Sequence, residues 1–227
     1  MKKVAAIRHV EIEHLGIIED YLQQRDFTIE YIDTPKGQKL KLPVEEYSFI
    51  VILGGYMGVY ESDLYPFLKY EFEIIEQSLK YKIPLFGICL GCQMLAEVLG
   101  GKVYKGERGK EIGFFNIEKI SENVLFSDFP KNFKAFQWHG DTFTLPKEAE
   151  RIFKNEIYDN QGFIFKKAVG LQFHIEVNEK MIKQWIDFYK EEIKQEKINP
   201  QKILSDSKLF LPTLKSTLIS FLDKFLL

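Results

Sequence analysis

The chain has 227 residues, enough for one large α/β domain or two small ones, and a formal net charge of −2 at pH 7. Its 31 basic residues are scattered among 33 acidic ones, so the charge pattern does not indicate nucleic-acid binding. With no leader-like segment, no long uncharged apolar run and only two cysteines, the sequence predicts a cytoplasmic protein without a membrane span or disulfide framework.

Strands and helices alternate over the first part of the chain. Short apolar runs predict four strands, at 4–7, 27–33, 49–53 and 83–86. Apolar residues at helical spacing predict helices after the first, third and fourth strands, and a polar loop follows the second. The third strand runs into Gly54-Gly55, which indicates a tight turn. This alternation predicts a doubly wound, mostly parallel sheet with function at the C-terminal ends of its strands.

Cys89 stands where the fourth predicted strand turns into a helix. It lies between Gly87 and Gly91, and Gly-x-Cys-x-Gly is the thiol counterpart of the Gly-x-Ser-x-Gly nucleophile elbow. The positive end of the helix dipole favours a thiolate at such a position. We therefore predict that Cys89 is a nucleophile.

After Gly101 the pattern changes to short β-like runs, which predict a mixed or antiparallel extension of the same sheet. The runs lie at 102–104, 113–117, 133–138, 151–157 and 162–173. A helix is predicted over 179–195, followed by a last amphipathic helix with Pro212 in its first turn. We predict a single domain over 1–227, on which the C-terminal helical extension 199–227 packs.

A nucleophilic thiol needs a base, and His174 has the strongest case among four histidines. Residues two apart in an extended segment project from the same face, so Glu176 can orient the imidazole of His174. From spacing alone, a polar pair at a strand end is an equally good interpretation. His139, with a carboxylate two residues on, is the competing base. His9 is expected to be solvent-facing or structural, as is His14.

Four segments together resemble the class I glutamine amidotransferases, in the branch related to the glutaminase part of GMP synthase. They are FGICLGCQMLAEVLGG at 86–101, QFHIE at 172–176, VILGGYMGVYESDLYPFL at 51–68 and WHGDTFTLP at 138–146. The resemblance runs from about residue 4 to residue 190 and implies a flavodoxin-like fold. Two positions differ, because Ile175 and Tyr56 stand where the family usually has proline.

The resemblance implies hydrolysis of the glutamine γ-amide by a Cys-His-Glu triad through a γ-glutamyl thioester. It assigns the triad to Cys89, His174 and Glu176. The backbone N–H groups of Gly55 and Leu90 correspond to the family's oxyanion hole. The substrate would be L-glutamine or a γ-glutamyl compound.

The amino-acid end of the substrate is the expected ligand of a second group of residues. By the resemblance, Gln93 contacts it from the helix after Cys89, and the loop of Trp138, His139 and Gly140 holds it mainly through backbone atoms. An ordinary polar helix residue at 93 and an exposed turn at 138–140 remain the simpler alternatives.

Other functions stay open at this point. Cys89 and Cys92 form a C-x-x-C that also matches a thioredoxin-like redox site, although the order of elements disfavours it. A zinc site lacks two further ligands, so no metal is expected. A stand-alone hydrolase of γ-glutamyl peptides or amides and a catalytically weak binding domain are further alternatives. Because the chain has no P-loop or dinucleotide-binding motif, we expect no cofactor and predict that a separate ATP-dependent synthetase uses the ammonia.

Overall fold

Residues 2–226 are described by a computed structural model, whose first half alternates strands with helices. The elements are β1 (Lys2–Arg8), α1 (Ile17–Gln23), β2 (Phe27–Asp33), β3 (Phe49–Ile52), α2 (Phe67–Tyr81), β4 (Leu85–Ile88) and α3 (Leu90–Val98). The four predicted strands are confirmed, but β4 begins at Leu85 rather than Ile83. The reason is that Ile83 N–H still bonds to Ser78 O of α2, at 2.9 Å.

The second half of the chain is mostly strand, followed by three helices. The elements are β5 (Val103–Lys105), β6 (Glu111–Lys119), β7 (Asn132–His139), β8 (Asp141–Phe143), β9 (Glu150–Lys154), β10 (Gly162–Phe165), β11 (Ala168–Leu171), α4 (Glu179–Phe188), α5 (Lys190–Gln195) and α6 (Pro200–Leu226). The run predicted at 162–173 is two strands, because Lys166, with φ of 53°, turns the chain into a hairpin. β8, which was not predicted, pairs with β5 in a separate small sheet.

Nine strands form one sheet in the order β2-β1-β3-β4-β11-β10-β9-β6-β7. Neighbours are parallel from β2 to β11 and antiparallel from β11 to β7. The predicted parallel sheet with an antiparallel extension is confirmed. Because β1, β3, β4 and β11 run parallel, their C-terminal ends meet at one edge of the sheet.

Helices cover both faces of the parallel strands. In β1, Val4 and Ala6 face a core that includes α1, α4 and α6, whereas Ala5 and Ile7 face a core that includes α2 and α3. All four of these side chains are fully buried. The doubly wound arrangement is confirmed, and burial on both faces explains why the strands are continuous apolar runs in the sequence.

Two helix predictions are wrong. The helix predicted over 179–195 is divided at Tyr189, whose backbone (φ −97°, ψ 26°) departs from helical geometry between α4 and α5. The last helix begins at Pro200 rather than near Pro212. A proline is tolerated at the first helical position, where its missing N–H has no partner in the helix. Pro212 lies inside α6 on the exposed side of the helix. Because proline has no N–H, the backbone carbonyl one turn earlier lacks its usual partner, and this carbonyl faces solvent.

α6 packs along one face of the sheet. The ring of Phe221 lies 5.3 Å from the ring of Phe86 in β4 and 5.3 Å from that of Phe126. Phe221 is fully buried, as are most residues on the same side of the helix. Although α6 has 27 residues, no helix within residues 2–226 combines the length and apolar character needed to cross a membrane.

Replacing Phe221 with alanine is expected to lower the free energy of unfolding by about 3–5 kcal/mol, because the truncation leaves a cavity among packed rings. Urea unfolding of the full chain measures this. Leu209→Ala on the same helix is the matched control, since Leu209 is 68% exposed and its truncation should cost no more than about 0.5 kcal/mol. Equal effects of the two substitutions would contradict a structural role of α6 in the core.

Candidate active site

A cavity of about 490 Å³ opens at the edge of the sheet where the parallel strands end. Loops after β1, β3, β4 and β11 form its wall, together with the end of β7. Most of the predicted site residues line it: Gly55, Cys89, Gln93, Trp138, His139, Gly140 and His174. The remaining two lie just behind this wall, Leu90 next to Cys89 in the chain and Glu176 bonded to His174.

Cys89 occupies a strained turn between β4 and α3. Its backbone has φ of 52° and ψ of −105°, a conformation that costs a non-glycine residue about 1–3 kcal/mol. A Cβ on Gly91 would lie 2.1 Å from Ile52 O, and one on Gly87 would lie 2.4 Å from Gly91 O. Both glycines are therefore required by close backbone contacts, and the predicted elbow geometry is confirmed.

The two cysteines have different surroundings. The sulfur of Cys89 lies at the cavity, at the N-terminal end of α3, 3.7 Å from Trp138 O. Cys92 is fully buried, and a Cβ on Gly170 would lie 2.9 Å from its sulfur. Burial raises the pKa of Cys92 well above its ordinary value, so its thiolate is disfavoured. This environment argues against a redox pair of Cys89 and Cys92.

His174 follows β11 and is held from several sides. Its backbone N–H donates to Phe136 O at 2.7 Å, and its Nδ1–H donates to Glu176 Oε1 at 2.7 Å. The ring of Trp185 is nearly perpendicular to the imidazole, with the two ring centroids 4.7 Å apart. Burial alone would lower the pKa of His174, but the Glu176 carboxylate and the Cys89 sulfur outweigh it and raise the pKa well above its ordinary value. Its protonated form is thereby stabilised beside the thiol.

His139 is bound on both sides by acceptors. Its Nδ1 lies 2.8 Å from Asp141 O and its Nε2 lies 3.0 Å from Glu111 Oε2. Glu111 is fully buried and also accepts from Asn155 at 2.6 Å and from Gln161 at 2.7 Å. With both ring nitrogens engaged, His139 has no free nitrogen to act as a base. These two contacts tie the ring to the segment that carries Trp138 and Gly140.

Gln93 is also fixed by hydrogen bonds. Its Nε2 donates to Asp141 O at 3.2 Å and to Gln172 Oε1 at 3.0 Å, so both amide hydrogens are used. Its Oε1 is the remaining polar atom of a side chain that lines the cavity. On the same wall, Trp138 Nε1 donates to Glu192 Oε2 at 2.8 Å.

Two backbone N–H groups near Cys89 lack partners. Leu90 is the first residue of α3, where no carbonyl of the helix is available to its N–H. Gly55 N–H makes no hydrogen bond with another group in residues 2–226. Gly55 packs closely on Leu90, since a Cβ on it would lie 3.0 Å from Leu90 Cδ2. Tyr56, which stands in place of the usual proline, is 63% exposed.

His9 is hydrogen-bonded to the loop that carries Gly55. Its Nδ1 donates to Gly54 O at 2.8 Å and its Nε2 to Glu71 Oε2 at 2.8 Å. Burial would lower the pKa of His9, but Glu71 outweighs it and raises the pKa. His9 is 8% exposed, so the solvent-facing interpretation is wrong and the structural one is confirmed. His14 is half-buried and accepts from Gly16 N–H at 3.1 Å.

Glu13 and Tyr189 were not predicted to belong to the site. Both line the cavity, and the Tyr189 hydroxyl donates to Glu13 Oε1 at 2.5 Å. Glu13 belongs to no recognisable motif, so only its position after the first parallel strand could have indicated it. Among residues 2–226, no group of three His, Cys, Asp or Glu side chains is arranged to hold a metal ion.

Several solved structures match nearly the full chain. The crystal structure of a glutamine amidotransferase from Thermotoga maritima has a TM-score of 0.96 and 53% sequence identity, and covers 99% of this chain and 98% of that one. A glutamine amidotransferase-like protein of Acanthamoeba polyphaga mimivirus is 29% identical, over 75% of this chain and 78% of its own.

The GMP synthases match over 46% to 73% of this chain. A glutamine-hydrolysing GMP synthase subunit from Pyrococcus furiosus is 31% identical over 46% of this chain and 57% of its own length. The aligned segment spans only 23% to 29% of other GMP synthases. The model of the family described as "Glutamine amidotransferase class-I" matches residues 14–190. The chain therefore belongs to the class I glutamine amidotransferases, a family of glutamine-hydrolysing enzymes.

Proposed function

We propose that the chain hydrolyses the γ-amide of glutamine through a thioester on Cys89 and releases ammonia to a separate synthetase. One arrangement carries this proposal: a thiol at the N-terminus of α3 faces a histidine that Glu176 holds at 2.7 Å. A thiolate beside an imidazolium supplies both the nucleophile and the acid that cleavage of an amide needs.

The first half of the reaction forms the thioester. The Cys89 sulfur attacks the carbonyl carbon of the γ-amide, and the carbonyl oxygen takes up the negative charge, toward which the free N–H groups of Gly55 and Leu90 would donate. His174 then gives its proton to the amide nitrogen, the C–N bond breaks, and ammonia leaves with the bonding electrons.

The second half releases glutamate. His174, now neutral, takes a proton from water, and the resulting hydroxide attacks the thioester carbon. The C–S bond breaks and the sulfur leaves as a thiolate, while Glu176 stabilises the imidazolium formed again on His174.

The polar wall opposite His174 suits the amino-acid end of glutamine. Gln93 Oε1, the one atom of that amide still free, can accept from the α-ammonium group. The backbone of Trp138 and Gly140 would bind the same end, held rigid by the hydrogen bonds of His139. These contacts orient the γ-amide toward Cys89.

The ammonia would pass to a separate ATP-dependent synthetase. The Pyrococcus furiosus relative is named as one subunit of a GMP synthase, which supports an arrangement in which the synthetase is a different chain. A second candidate function has one observation in its favour. A cavity of about 490 Å³ lies within the range that holds ligands larger than one amino acid, which favours a γ-glutamyl peptide or amide as substrate.

The two candidates predict different substrate preferences. With a separate synthetase as partner, the purified chain alone should hydrolyse free glutamine slowly, with kcat below about 1 s⁻¹, because unrestrained glutaminase activity wastes glutamine. The measurement is kcat/KM for glutamine and for γ-glutamyl dipeptides on one preparation. A parallel preparation of Cys89→Ala corrects for contaminating glutaminase.

Rapid turnover of a γ-glutamyl peptide without any partner would overturn the ammonia-donor function in favour of the stand-alone hydrolase. If no compound reacts and a glutamine-like electrophile leaves Cys89 unlabelled, the binding-domain alternative is the better one.

A further inference from the structure

Glu13 is a buried carboxylate at the reaction centre that the proposed mechanism does not use. It is 7% exposed and yet lines the cavity. Its Oε1 accepts from the Tyr189 hydroxyl, whereas its Oε2 has no hydrogen-bond partner within residues 2–226. Trp185 fixes the loop that carries it, because Trp185 Nε1 donates to Ile12 O at 3.0 Å. The hydrogen bond to Oε1 thus holds the carboxylate in place and leaves Oε2 free.

The free oxygen lies beside the candidate catalytic pair. The point where a Cβ of Gly54 would stand is 2.6 Å from Glu13 Oε2, 3.0 Å from His174 Cε1 and 3.7 Å from Cys89 Cβ. The three side chains therefore surround the space that Gly54 leaves open. Glu13 Oε2 and His174 thus border the same part of the cavity, and in the proposed mechanism His174 delivers the proton to the leaving nitrogen.

The chemistry at this position calls for a hydrogen-bond acceptor. Once His174 has protonated the nitrogen of the tetrahedral intermediate, that nitrogen is an ammonium group with N–H bonds and a positive charge. A carboxylate aimed at it stabilises this charge, and most strongly just before the C–N bond breaks. His174 itself keeps both ring nitrogens occupied, with Glu176 and with the reacting atoms.

We propose that Glu13, oriented by Tyr189, is the binding residue for the leaving nitrogen of the substrate. The proposal rests on the proposed function and adds to it a subsite for the amide nitrogen that leaves as ammonia. In the step concerned, the proton on the nitrogen comes from His174, the C–N bond breaks with its electrons on nitrogen, and the carbonyl of the Cys89 thioester forms. Glu13 accepts hydrogen bonds throughout and exchanges no proton.

The charges around Glu13 fit this role. Burial, with a smaller contribution from Glu176, raises the pKa of Glu13 above its ordinary value, although the Tyr189 hydroxyl, His174 and His9 act in the opposite direction. The protonation of His174 that precedes nitrogen release therefore also favours the carboxylate form of Glu13. When the proton passes from His174 to the nitrogen, the positive charge stays beside Glu13 and continues to favour its carboxylate form.

The test compares an amide with an ester, because a leaving alcohol cannot form the ammonium group. For the full chain, kcat/KM is measured with L-glutamine and with the γ-methyl ester of L-glutamate. Glu13→Gln should lower the value for glutamine about 10- to 100-fold and that for the ester less than about threefold. Glu11→Gln is the matched control, since Glu11 is an exposed carboxylate of the same loop, and it should leave both values unchanged.

A second readout follows the reverse step. With the ester as acyl donor and added ammonium chloride, the ratio of glutamine to glutamate formed should fall in Glu13→Gln by about the factor seen for glutamine hydrolysis. Tyr189→Phe keeps the carboxylate and removes the hydroxyl that orients it. It should show the same selective loss at smaller size, and it provides the test if Glu13→Gln does not fold.

Equal losses on both substrates would overturn the proposal, because Glu13 would then act on the Cys89–His174 pair or on folding. Unchanged kinetics in Glu13→Gln would also overturn it. Failure of the proposed function would give a different result, because the unmodified chain would then cleave neither glutamine nor the ester. That result would also overturn the proposed site for the leaving nitrogen.

Discussion

Cys89→Ala is expected to reduce kcat for glutamine by about 10⁴-fold or more, because no other group in the cavity can form the thioester. Cys92→Ala should keep kcat within about threefold, since Cys92 lies on the buried side of α3 and burial keeps its thiol protonated. Glutaminase kinetics of both variants measure the difference. Mass spectrometry after reaction with a glutamine-like chloroketone should find the label on Cys89 alone.

The reverse pattern, with Cys92 essential and Cys89 dispensable, would show that the wrong thiol has been assigned. Turnover of disulfide substrates that needs both cysteines would instead support the redox interpretation. The two cysteines thus serve as controls for each other within one helix turn.

His174→Ala is expected to lose about as much activity as Cys89→Ala, because base and nucleophile act as a unit. Glu176→Gln should retain about 10²-fold more activity than His174→Ala, since the imidazole remains but is held less well. His139→Ala should mainly raise KM, because its ring fixes the substrate loop and faces Glu111. Steady-state kinetics of the three variants separate these effects.

If His139→Ala were the more damaging change in kcat, His139 and not His174 would be the base. The rate at which iodoacetamide alkylates Cys89, followed against pH, gives an independent check. Loss of His174 should slow this alkylation, because the imidazole that interacts with the Cys89 sulfur is then absent.

The parallel half of the fold could be predicted because its signals are local. Strands such as β1 and β3 are buried on both faces, so they appear as uninterrupted apolar runs. The errors occur where tertiary context decides. The apolar run at 162–173 contains a hairpin that turns at Lys166, and Pro212 is tolerated inside α6 because its side of the helix faces solvent.

The site could be predicted only where residues close in sequence act together. His174 and Glu176 are two positions apart, and the turn at Cys89 is marked by its own neighbours. Glu13 and Tyr189 are 176 positions apart and meet only because α4 ends beside the loop after β1. A contact of this kind leaves no pattern in a single sequence, so the structure was needed to find it.

At Cys89 the stability of the fold and the need for a nucleophilic thiol favour different residues. A domain of ordinary stability unfolds with about 5–15 kcal/mol, so about 1–3 kcal/mol held in one turn is a sizeable share. Glycine is the residue that would adopt φ of 52° without strain, and it has no sulfur. At this position glycine would give the more stable fold, whereas nucleophilic chemistry needs cysteine, and the chain has the residue that makes the fold less stable.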